Sequence, residues 1–148
     1  MDVDGTLTDG KIYTGESGEA FKAFNTKDGY AIKEILPKLG ISPVIITSRT
    51  SKIVENRARE LNIAMVYQGI IDKLPLLKKL SDENNTPLDK IAYIGDDIND
   101  LSCIEVCGFT ACPSDSVDEI KNKVDYICKR KGGDGAVREF IELMRGRQ

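Results

Sequence analysis

The chain of 148 residues is 41% hydrophobic and 30% charged, with a formal net charge of −3 and no histidine. This length suits one domain with a core of its own, and the acidic balance offers nothing to a nucleic acid, so an anionic substrate would need locally placed cations. Without imidazole there is no Ser-His-Asp triad, histidine base or His-containing zinc site, and base chemistry falls to carboxylates, Lys, Tyr or Cys.

The chain opens "MDVDGTLTDG", with Asp2 and Asp4 one residue apart and Asp9 close behind. Crowded carboxylates raise each other's pKa unless a cation or a proton offsets them. Residues 11–24, "KIYTGESGEAFKAF", hold two β-like runs around a Gly/Glu/Ser turn and predict a hairpin flap, too short for a cap domain. Asp28 of "KDG" stands where a helix N-cap is expected, while Asp9 and Lys27 read as solvated. Ala31, Ile32, Ile35 and Leu39 then form one helical stripe.

Short apolar runs follow at 43–47 ("PVIIT"), 65–69 ("MVYQG"), 90–95 ("KIAYIG") and 108–112 ("GFTAC"), as buried parallel strands require. Between them, Ile53, Val54, Ala58 and Leu61 make a second stripe, and Leu74, Leu77 and Leu80 a third. Cys103 and Cys107 would share a helical face, but with neither a second close pair nor a histidine, these thiols and those of Cys112 and Cys128 read as buried and reduced. The basic, Gly-rich "KRKGGDGAVREF" (129–140) leads into a last helix with Ala136, Val137, Phe140, Ile141 and Met144 on one face. No apolar run approaches a membrane span and no signal peptide is visible, so the cytoplasm is the default location.

Strand–helix alternation predicts one α/β domain over 1–148, a doubly wound, Rossmann-like parallel sheet. Such sheets bind ligands beyond the carboxyl ends of their strands. Thr47 and Ser48 follow "VII", Gln68 and Gly69 follow "MVY", and Asp96 and Asp97 follow "IAYIG"; Asp2 and Asp4 complete the set if a strand precedes them. Asp2, Asp4, Thr47, Lys73, Asp96 and Asp100 then describe one pocket, whose carboxylates suit a hard cation such as Mg²⁺. A lysine and a hydroxyl at the same point suit a phosphoryl group. One Asp of Asp-x-Asp can attack phosphorus while the other protonates the leaving oxygen and later deprotonates water. Taken singly, Asp-x-Asp-Gly-Thr could be a solvated or calcium-like turn, Thr47 a helix cap and Lys73 a surface lysine. A response-regulator receiver uses similar residues, but here the lysine precedes the "GDD" acids and Asp-x-Asp comes first.

"DVDGTLTDG", "IITSR", the lysine of "GIIDK" and "GDDIND" resemble the four motifs of the haloacid dehalogenase superfamily of phosphatases, in order and spacing. The resemblance implies Asp2 as nucleophile and Asp4 as acid/base, with its backbone carbonyl on Mg²⁺. It implies that Thr47 and Lys73 hold phosphoryl oxygens, that Asp96 joins Asp2 and Asp4 as a metal ligand, and that Asp97 and Asp100 support it. The hairpin, "FNTKDGYAI", the "QG…DK" spacing and "KRKGGDGAVREF" are similar to the capless subgroup acting on 3-deoxy-D-manno-octulosonate 8-phosphate (KDO 8-phosphate). That subgroup implies a sugar-phosphate substrate, lipopolysaccharide inner-core synthesis and a homotetramer with packed hairpins. It also implies that the tail, about 129–148, reaches a neighbouring site, with Gly132 and Gly133 among the substrate contacts.

Ser48 and Arg49 stand where octulosonate phosphatases typically carry Gly-Arg and nine-carbon relatives carry Glu for the Arg; an Arg suits a substrate carboxylate. A structural salt bridge is the other reading of Arg49, and a nine-carbon keto-sugar acid 9-phosphate the other substrate. A third reading is a non-catalytic assembly module of the same fold, which usually lacks a motif residue; none is lost here. The family nucleophile also follows a buried apolar strand of about five residues, whereas Met1 alone precedes Asp2. Either the start lies upstream of this sequence, or the strand is absent and backbone groups of the neighbouring strands lack partners; an added apolar segment is expected to raise stability and turnover.

Overall fold

The computed structural model describes residues 1–146. The hairpin is present as β1 (Tyr13–Gly15) and β2 (Gly18–Phe21), paired antiparallel, with the Tyr13 and Phe21 rings stacked 4.4 Å apart. Helix α1 (Thr26–Tyr30) passes into a wide π turn over Ala31–Ile35 and a 3₁₀ turn over Leu36–Leu39, rather than one regular helix. Pro37 has no N–H to donate, so the regular ladder cannot continue through it. Ala31, Ile32 and Ile35 stay buried, and Leu36 takes the buried place expected of Leu39.

The expected cap at Asp28 is not the one formed. Asn25 caps α1, its side chain accepting from the Lys27 N–H at 2.8 Å. Asp28 is buried and caps a different helix, accepting at 2.7 Å from the N–H of Arg138 in the first turn of the last helix.

Each apolar run becomes a parallel strand trimmed at its ends: β3 (Val44–Ile46), β4 (Met65–Tyr67), β5 (Ala92–Ile94) and β6 (Phe109–Cys112). A short β7 (Tyr126–Ile127) pairs with β6 and went unread, because charged Asp125 and Lys129 flank its brief apolar stretch. Alternate strand residues face opposite layers. Ile45 and Ile94 pack with residues of α2 (Lys52–Glu60) and α6 (Ala136–Arg145). Ile46, Tyr93 and Cys112 pack with α3 (Lys73–Glu83), α4 (Leu101–Ile104) and α5 (Asp118–Lys121). This is the expected doubly wound arrangement. The four cysteines are unpaired, and burial pushes the Cys128 thiol up to about 12. Among the described residues, no helix is long and apolar enough to cross a membrane.

The sheet has a gap at its centre. β3 pairs with β4, and β5 with β6 and β7. Between the halves lie Met1 and Asp2: the Met1 amine donates to Val44 O at 2.9 Å, Ile46 N–H to Met1 O at 3.0 Å, and Asp2 N–H to Ile94 O at 3.1 Å. Upstream of that rung is an apolar cavity of about 400 Å³, lined by Met1, Val44, Ile46, Ala92, Ile94 and Phe140 among others. Thr47 and Gly95 bond outward to β4 and β6, so by alternation Val44 and Ile94 turn their peptide groups into the gap, where Met1 and Asp2 take up both carbonyls.

Candidate active site

The rung that bridges the sheet also delivers the first carboxylate. Asp2 leaves the gap between β3 and β5 with its side chain buried, and its Oδ1 accepts from Lys73 Nζ at 2.8 Å. Lys73 is the first residue of α3 and is fully buried. It also donates to Asp100 Oδ1 at 2.7 Å, which accepts from the Tyr93 hydroxyl at 2.7 Å as well. Asp100 Oδ2 takes the Asp96 N–H at 3.0 Å, and Thr6 Oγ1 donates to Asp96 Oδ1 at 2.8 Å. Thr47 sits buried at the end of β3, its N–H on Tyr67 O at 3.0 Å. Gly5 has φ +93°, and a Cβ there would lie 2.0 Å from Asp96 Oδ2, so only glycine lets this loop approach that carboxylate.

One oxygen each from Asp2, Asp96 and Asp100 lies within 4.8 Å of the others, with Lys73 the ammonium inside the group. Burial, then the charge of Asp2, pushes Asp96 up to about 8. Burial and Asp100 likewise raise Asp2 against the pull of Lys73. For Lys73, burial alone would lower the pKa, but Asp100 and Asp2 together hold it above the usual lysine range. An anionic cluster that one lysine leaves under-compensated, built of oxygen donors and close enough to share one ion, fits a hard divalent cation.

Asp2, Lys73, Asp96 and Asp100 thus meet at the strand ends, and Thr47 is buried at the end of β3. Other candidates stand elsewhere. The carboxylate of Asp4 is outside the three-oxygen group and pairs with Lys22 of the hairpin segment. Asp97 is exposed and caps the turn Ile98–Asp100, accepting from the Ile98 N–H at 2.7 Å. Ser48 Oγ accepts from Asn99 Nδ2 at 2.9 Å, and the half-exposed Arg49 lies 3.9 Å from Glu19.

Gly132 and Gly133 lie against the opening loop of their own chain. Gly133 N–H donates to Thr6 O at 3.1 Å, and a Cβ on Gly132 would fall 1.8 Å from Gly5 O. Beyond them α6 buries Ala136, Val137, Phe140 and Ile141 in its own core, so this part of the expected tail is core helix. Residues 147 and 148 of that tail lie outside the described residues. Lys22, Glu19, Tyr93 and Asn99 are site neighbours that sequence reasoning missed. Of these only Tyr93 carries a local signal, a hydroxyl two residues before the Gly-Asp-Asp turn.

The haloacid dehalogenase-like hydrolase family matches residues 46–141. The chain is 40% identical over 144 residues to the 3-deoxy-D-manno-octulosonate 8-phosphate phosphatase of Escherichia coli K12, covering 97% of this chain and 76% of that one. It is similar to the crystal structure of the phosphatase of that name from Yersinia pestis, with a TM-score of 0.93, 40% identity, and coverage of 97% and 77%. It is similar also to the Moraxella catarrhalis phosphatase solved with magnesium, phosphate and KDO, with a TM-score of 0.95, 40% identity, and coverage of 99% and 84%.

Proposed function

Because this chain belongs to the haloacid dehalogenase-like hydrolase family, we propose that it is a Mg²⁺-dependent phosphatase that hydrolyses KDO 8-phosphate to KDO and phosphate. The observation that carries the reading is the convergence of Asp2, Asp96 and Asp100 around the buried Lys73 at the strand ends. Asp2, Asp96 and the backbone carbonyl of Asp4 would hold the ion, with Asp100 in support. When bound, Mg²⁺ neutralises the crowded carboxylates and draws charge from the phosphoryl oxygens.

The chain's own groups divide the work. Asp2 attacks phosphorus as the bond to the sugar oxygen breaks, and Asp4 gives that oxygen its proton. Water then attacks the aspartyl phosphate while Asp4 takes a proton from it, releasing phosphate and restoring Asp2. Lys73 and Thr47 hold the phosphoryl oxygens, and Arg49 and Ser48, at the rim, face the sugar acid. Gly132 and Gly133 act through the opening loop they brace. We place the enzyme in the cytoplasm as a single-domain subunit of a homotetramer. Exposed Phe21 and Ile12 on the hairpin support packing between copies.

Phosphate release from KDO 8-phosphate and from a nine-carbon keto-sugar acid 9-phosphate, with and without Mg²⁺, tests the reading. Mg²⁺-dependent release favouring the eight-carbon substrate is expected, falling about 10⁴-fold or more in Asp2→Asn. Preference for the nine-carbon substrate would keep the chemistry and replace the substrate; no release from either would leave an assembly module.

A further inference from the structure

Lys22 follows β2 on a surface flap, yet its side chain is 2% exposed. Its ammonium donates to Asp4 Oδ1 and pairs with Glu19 Oε1 at 2.9 Å. Glu19 accepts a hydrogen bond from Ser51 Oγ, at the head of α2, and lies 3.9 Å from the Arg49 guanidinium. Ser51 is itself held, its N–H donating to Gln68 Oε1 at 2.8 Å. A chain of polar contacts therefore runs from the loops after β3 and β4, through the hairpin, to one carboxylate of the opening loop. Holding a lysine side chain in one arrangement costs rotamer freedom, which these ion pairs must offset.

We propose that Lys22 is a positioning residue for Asp4, with Glu19 as the strut that holds Lys22 in place. The inference rests on the reading of Asp4 as acid/base given above. Lys22 occupies Oδ1 and so turns Oδ2 as the oxygen left for the leaving group. A proton donor must come within about 3 Å of the atom it serves, and a misplacement of about 1 Å can cost roughly 100-fold. Seating of the hairpin is thereby coupled to protonation of the leaving oxygen.

The test compares kcat/KM for the alkyl sugar phosphate and for an aryl phosphate, whose leaving group departs without a proton. This ratio reports events up to that departure, so the later hydrolysis does not enter. In Lys22→Met the alkyl value is expected to fall about 10- to 100-fold and the aryl value less than about threefold. Lys22→Arg should recover most of the loss, and Asp4→Asn should show the same selectivity. Glu19→Gln, which keeps the lysine but loosens it, should give a smaller loss of the same kind and serves if Lys22→Met does not fold. Equal losses on both substrates, or none, overturn the role of Lys22 while leaving Asp4 intact. A non-selective Asp4→Asn overturns the reading of Asp4 and the role of Lys22 with it.

Discussion

Downstream of Asp2, the gap between β3 and β5 is closed by side chains: Lys73 bridges Asp2 and Asp100, Tyr93 joins them, and Thr6 reaches Asp96. Upstream of Met1, the same gap is an apolar cavity of about 400 Å³. One end is held by directed bonds between residues from loops and helix starts; the other has walls and little filling. Geometry for chemistry can thus be set by side chains on several elements, apart from the packing of the scaffold beneath. Changes at the polar end should register chiefly in rate, and changes at the apolar end in stability.

The sharpest probe of the polar end is Lys73→Met. It removes the shared donor from two buried carboxylates, which should cost about 3–5 kcal/mol in a denaturant titration in Mg²⁺-free buffer at pH 8. Turnover should fall about 10³-fold. A stable, active variant would mean that the network is incidental.

At the apolar end, an extended Val/Ile-rich segment of about five residues placed before Met1 should occupy the cavity. Each buried aliphatic side chain contributes about 1.5–3 kcal/mol, set against about 1–2 kcal/mol per residue ordered. A net gain of about 2 kcal/mol would raise the melting temperature by about 4–8 °C, whereas a polar segment should leave it unchanged. Equal melting with both segments would show that the cavity is not a strand slot.

The smallest effect concerns a wall of that cavity. Asp28 caps α6, and burial holds its carboxyl above the ordinary range, with the N–H groups of Arg138 and Gly135 opposing. Its Oδ2 has no hydrogen-bond partner among the described residues. A raised carboxyl favours the folded state most below the unfolded pKa of about 4, and that contribution is lost as pH rises through the folded value. Asp28→Asn keeps an acceptor for Arg138 without the charge. It should be more stable than the parent at pH 8 and no more stable at pH 3; a pH-independent difference would refute the buried-charge account.

The polar end was far more legible in the sequence than the apolar end. Thr47 and Asp96 are marked by their place just past apolar runs, which the parallel sheet brings together, whereas Asp2 and Lys73 are marked by the motifs they stand in. Lys22 has no such mark, because a lysine in a hairpin reads the same whether it points to water or to a carboxylate in another loop. Asp28 was recognised as a cap but matched to the nearest helix, since its partner at Arg138 is distant in sequence. Asp97 looked like its neighbour Asp96, yet its carboxylate bends back onto the next peptide. Gly132 and Gly133 read as a loop for ligand; their contact with another backbone leaves no local trace beyond the absence of a side chain.

That contact ties the opening loop to a segment near the other end of the chain, with the Gly133 N–H on Thr6 O at 3.1 Å. The loop that carries Asp2 and Asp4 is therefore not a separate unfolding unit. Its amide protons should exchange with solvent in step with those around Gly133, at the pace at which that stretch lifts away. A protease that nicks the chain between Cys128 and Gly135 would remove one brace of that loop, and activity should fall although no carboxylate of the cluster is altered.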